Sequence, residues 1–185
     1  TSGGSITGGP RGVLFGNDVG TFTNTGTITA TGRAVLAGAV DRFVNEGTIS
    51  GTHSGVTLGG TVGTFINNGT IKADTDYAID AGSYDFTSFS NLGLIESTGF
   101  AALQMGDVGT FTNTGTIRGA FTAVTIDSAG TIDNRGTITG STGISIGGTS
   151  GTTIVNSGTI EGTGGTAICS CGTSNDVLEL RRGSR

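Results

Sequence analysis

The segment Phe-Thr-Asn-Thr-Gly-Thr-Ile at residues 22 to 28 returns letter for letter at 111 to 117. Cousins of it read FVNEGTI from Phe43, FINNGTI from Phe65, FSNLGLI from Phe89, IDNRGTI from Ile132 and IVNSGTI from Ile154. The asparagines fall at Asn24, Asn45, Asn67, Asn91, Asn113, Asn134 and Asn156, with successive separations of 21, 22, 24, 22, 21 and 22 residues. So regular a period marks a stack of similar units and leaves little room for any other architecture. An eighth, truncated copy begins at Gly4-Ser5-Ile6, 22 residues before Gly26-Thr27-Ile28.

Within each copy, Phe22, Asn24, Gly26 and Ile28 share one parity and Thr23, Thr25 and Thr27 the other, which is the alternation of a strand. Asn followed two residues later by Gly suggests a tight corner with left-handed backbone angles at the glycine. A second apolar column follows about eight residues after each Ile, at Leu14, Leu36, Leu58, Ile79, Leu103, Ile126, Ile146 and Ile168. Each repeat therefore holds two or three short strands and no run of helix formers. Such strands bury their apolar sides only by stacking copy on copy.

These patterns predict an all-β chain, a single-stranded parallel β-helix (β-solenoid) of about eight coils of about 22 residues, forming one domain over 1–185. The coils fall near 4–25, 26–46, 47–68, 69–92, 93–114, 115–135, 136–157 and 158–180. Stacked asparagines would bond above and below through an amide that both donates and accepts. Leucine-rich repeats share the period, but they need Leu-x-x-Leu-x-Leu before the Asn, where this chain has Phe-x.

Composition closes off other classes. There are 37 glycines in 185 residues but a single proline and no glycine at every third position, which excludes collagen. A net charge of -5, with nine scattered Lys and Arg, excludes a nucleic-acid binder. No apolar stretch is long enough for a membrane helix. The chain starts in mid-repeat, with neither an initiator Met nor a signal peptide, so it is expected to be a fragment of a longer secreted protein.

Repeats of the form N-x-G-x-I in Gly- and Thr-rich sequence resemble the passenger regions of Gram-negative autotransporters and related filamentous adhesins. The resemblance runs from Gly4 to about Ile168, and "SNDVLEL" from Ser174 is similar to segments that recur in such passengers. It implies a right-handed β-helix that is secreted or displayed on the bacterial cell surface. Such passengers include adhesins, proteases and esterases, so the expectation of a non-enzymatic stalk or adhesive surface rests instead on seven repeats that bring no reactive set together. The partners implied are a host-cell or matrix surface, a glycan or another copy of the protein, with open coil ends able to associate end to end.

The residues that leave the repeat are the candidates for chemistry. The longest coil, Ile71 to Ile95, carries Asp74, Asp76, Asp80 and Asp85, and His53 lies one coil below Asp74 and Asp76. Together they could serve a carbohydrate-acting β-helix enzyme, helped by Lys72 or Arg118. The carboxylates also invite Ca²⁺, but their spacing matches no calcium loop, so neither a cofactor nor a metal is expected. Cys169 and Cys171 form Cys-x-Cys, either a small disulfide, for which the chain must turn, or two free thiols. Columns of Thr, such as Thr27, Thr48 and Thr70, raise an ice-binding surface as a lesser alternative, against which the neighbouring column Thr29, Ser50, Lys72, Glu96 and Arg118 brings long charged side chains.

Overall fold

A computed structural model describes residues 3–183; residues 1, 2, 184 and 185, the outer limits of the expected domain, lie outside it. The chain is an all-β parallel β-solenoid of about eight coils, and the described residues contain no helix. Each of the first six coils lays down three short strands, as in Thr27–Ala30, Arg33–Ala37 and Val40–Asn45; in the last two the first and second strands are continuous, as Thr137–Ile146 and Thr159–Ser170. Every strand pairs in parallel with its counterparts in the coils above and below, giving three long faces.

On the isoleucine face, Ile6, Ile28, Ile49, Ile71, Ile95, Ile117, Ile138 and Ile160 stand in register. On the phenylalanine face, Phe22, Phe43, Phe65, Phe89 and Phe111 stack ring over ring at 4.6, 4.5, 5.3 and 4.8 Å. Ile132, Ile154 and Leu178 continue that column. The third, valine face aligns Val13, Val35, Val56, Ile79, Leu103, Val124, Ile144 and Ile168. The core is the shaft enclosed by these three columns.

The third face corrects the second apolar column expected from sequence. Leu14 and Leu36 share a register and lie beside the inward valines; Leu14 is half exposed. Leu58, Ile126 and Ile146 belong two residues further along the strands, the latter two in line with Met105. Strand side chains alternate sides, so coils whose corners differ by one residue move a fixed sequence offset from the core to the surface.

The asparagine corner joins the phenylalanine face to the isoleucine face. Each of the first six asparagines donates from Nδ2 to Oδ1 of the next, and all six bonds are 2.8 Å long. The same Nδ2 reaches the carbonyl of its own glycine, Gly26 for Asn24 at 3.2 Å, and a carbonyl of the next coil, Thr48 at 3.3 Å. The Asn24 backbone carbonyl accepts from both Glu46 N and Gly47 N, at 2.8 and 3.1 Å. All seven asparagines are buried.

The glycines of this corner act by a different cause from the one the sequence suggests. Positive φ occurs at Gly82, Gly165 and Gly183, and at none of the repeat glycines. What Gly47 needs is the absence of a side chain: an added Cβ would overlap the carbonyl oxygen of Gly26 in the coil below, and Gly69, Gly93 and Gly115 repeat the relation. Close backbone stacking selects the glycine, not a left-handed turn.

Candidate functional site

The long coil between Ile71 and Ile95 spreads its acidic residues instead of gathering them. Its additional residues are divided between the corner before Ile79 and the corner after Asp80. Asp74 and Asp76 lie at the first, Asp80 on the valine face, and Asp85 at the second. Asp80 Oδ1 accepts from Gly82 N at 3.1 Å, which braces the turn where Gly82 has a φ of 55°. Asp85 Oδ1 accepts from Asp107 N at 2.9 Å and so ties one coil to the next. Among the described residues, no group of three or more His, Cys, Asp or Glu side chains is placed to hold a metal ion.

His53 does meet an acid, with Nε2 3.3 Å from Asp76 Oδ2. Its Nδ1 is 3.5 Å from Thr75 Oγ1, whose own proton is directed to the Thr52 carbonyl at 3.0 Å. These contacts bring an imidazole, a carboxylate and a hydroxyl to one corner, with the hydroxyl bonded to backbone. The basic partners envisaged for an enzyme are also engaged, since Lys72 Nζ and Arg118 Nη1 flank Glu96 at 2.9 and 3.5 Å. That trio stands in one register column of the isoleucine face and breaks up the hydroxyl lattice an ice-binding plane would need.

At the C-terminal end, Cys169 and Cys171 are joined as a disulfide, with Cα atoms 5.2 Å apart. The required turn is present: Cys171 N and Gly172 N both donate to the Ile146 carbonyl, at 2.8 and 3.1 Å. Asp176, in the "SNDVLEL" segment, accepts from the Ser170 hydroxyl, from Thr152 N at 2.8 Å and from Ser174 Oγ at 2.8 Å. Its carboxyl is held below the usual range, first by Ser170 and then by Thr152 and Ser174. This acid fastens the last coil.

The corner between the isoleucine and valine faces holds what the repeat alignment passed over. Tyr77, Phe100 and Phe121 come from three successive coils and touch in sequence. Tyr77 and Phe100 meet edge to face with centroids 5.0 Å apart, and Phe100 and Phe121 are tilted at 5.6 Å. Phe100 is 38% and Phe121 58% exposed, and of the nine phenylalanines these are the two exposed ones. The Tyr77 hydroxyl holds its proton more tightly than a free phenol, first because of burial and then because of Asp80 and Asp76. A sequence signal did exist: large aromatic residues just before Ile79, Leu103 and Val124, where other coils carry His53-Ser54 or Ser141-Thr142.

Two shallow grooves follow the remaining corner. One, of about 310 Å³, is lined in part by Asp41, Gly63, Asp85 and Thr87, and the other, of about 250 Å³, by Asp107, Gly109, Ser128 and Gly130 among others. Among the described residues, no hydrogen bond joins a hydroxyl to a carboxylate within either groove. No protein-family model, curated protein or solved structure matches this chain.

Proposed function

We propose that this solenoid is a non-enzymatic module, a rigid stalk that doubles as an adhesive surface, from a secreted or surface-displayed bacterial passenger of the autotransporter or filamentous-adhesin type. The observation that supports it most is the division of labour among residues. The repeated ones are occupied in stacking coils, and of the aspartates that depart from the repeat, Asp80 and Asp85 lie away from the corner that carries Asp74, Asp76 and His53. With a rise of about 4.8 Å per coil, eight coils span about 38 Å, a length held by hydrogen bonds along every face. The cell-surface setting rests on the likeness of the N-x-G-x-I repeat to passenger sequences.

The test is to display the chain on an inert carrier bead and measure adhesion to host-cell and matrix surfaces alongside turnover of a broad polysaccharide panel. Adhesion without turnover is the expected result. Turnover that disappears in Asp76→Asn or Asp80→Asn would replace the scaffold with an enzyme.

A further inference from the structure

We infer that the ridge of Tyr77, Phe100 and Phe121 is a binding site for an uncharged pyranose, met at the end or along the branch of a glycan. This rests on the adhesive reading above and names the surface and the ligand class.

The ridge is built, not incidental. Phe100 N donates to Ser97 Oγ at 3.0 Å, and that hydroxyl donates in turn to the Asp76 carbonyl at 2.5 Å, so the turn carrying Phe100 is anchored to the coil below. Thr98 Oγ1 adds a bond to the Asp74 carbonyl at 3.2 Å. Tyr77 and Phe121 then support Phe100 from either side. Rings fixed before a ligand arrives lose little freedom on binding it.

Size and chemistry choose the ligand. The exposed fractions of Phe100 and Phe121, 38% and 58%, together equal about one whole ring, or roughly 150–250 Å². A stable protein interface needs about 800 Å² from each partner, so the ridge is too small for one and suits one or two sugar rings. A pyranose offers a face of C–H groups to stack on an aromatic ring and a rim of hydroxyls to donate outward. Acceptors are at hand: the Asp74 carboxylate is exposed and has neither a hydrogen bond nor an ion pair among the described residues, and Asp76 lies two residues on. The same negative charges turn away uronic and sialic acids.

Saturation-transfer NMR on the full chain, with neutral gluco- and galacto-oligosaccharides and with oligogalacturonate, tests the assignment. Neutral sugars should bind at millimolar strength and oligogalacturonate at least tenfold more weakly. Phe121→Ala and Phe100→Ala should each lower neutral-sugar binding at least tenfold without moving Tm by more than a few degrees. Absence of neutral-sugar binding, equal binding of the acidic sugar, or undiminished binding by Phe121→Ala would overturn the proposal. Bead adhesion separates it from the broader reading. Adhesion that survives both Phe121→Ala and enzymatic deglycosylation of the target sinks the sugar site alone, whereas no adhesion by the native chain sinks the adhesive role itself. Phe121-dependent adhesion to a deglycosylated surface would assign the ridge to a protein partner instead.

Discussion

Gly115 and Asn113 stand two residues apart and hold the same corner by unlike means. Gly115→Ala forces a Cβ against the carbonyl of Gly93, so two coils must separate there; a loss of about 1–3 kcal/mol is expected from such overpacking, measured by urea unfolding. Asn113→Leu leaves Asn91 Nδ2 without its acceptor and Asn134 Oδ1 without its donor, at about 1–3 kcal/mol for each buried group; an unchanged unfolding midpoint would disprove the ladder's role. Ser54→Ala should go the other way. Its buried Oγ has no hydrogen-bond partner among the described residues, and removing it should raise stability by about 1 kcal/mol. The asparagines were legible in the sequence because every copy does the same work, whereas Gly115 was legible as a glycine and misread as to cause. Overlap with a neighbouring coil depends on stacking distance, which no local pattern records.

At the level of strands and corners, the last strand is the least covered, since all four residues of Val177–Leu180 are exposed. It places Leu180 where the earlier coils have asparagine, so the ladder ends at Asn156, and Asp176 and the Cys169–Cys171 bridge brace the chain that leads into it. A carboxyl whose pKa falls on folding adds stability above its unfolded value and loses it as pH drops through the folded one. Amide protection in Val177–Leu180 should therefore be constant above about pH 5 and decline below about pH 4. In Asp176→Asn the protection should be lower above about pH 5 and show no such decline, which hydrogen exchange would read directly. Strand identity in this region was visible in the alternation of residues. The aromatic ridge left only a weak trace, large aromatics shortly before Ile79, Leu103 and Val124, because Tyr77, Phe100 and Phe121 occupy corners whose lengths vary, out of step with the Asn period. The four aspartates looked like one acidic excursion because they are near in sequence. A coil that goes once around the shaft turns sequence neighbours away from one another.

Across the whole molecule, stability is shared between neighbours, since each coil touches only the one above and the one below. Among the described residues, Ile6 and Leu14 are exposed in the first coil and Leu178 and Leu180 in the last. Self-association of the 185-residue chain, coil upon coil, should appear in light scattering as mass that grows with concentration. A constant monomer mass over a hundredfold range would count against it. The geometry also says what form such association takes. The first six ladder asparagines all donate in one direction, from Asn24 toward Asn156, and Oδ1 of Asn24, like that of Asn156, also accepts from the glycine two residues on. The row of amides is thus an arrow, with acceptor at its tail and donor at its head. Two copies meeting by like ends would set their parallel strands in opposition, so a closed symmetric pair has no continuous hydrogen bonding to offer. Copies meeting head to tail keep the arrow running, and such contacts do not close on themselves. Orientation along a filament, and with it the side on which each aromatic ridge emerges, is inherited from one amide to the next.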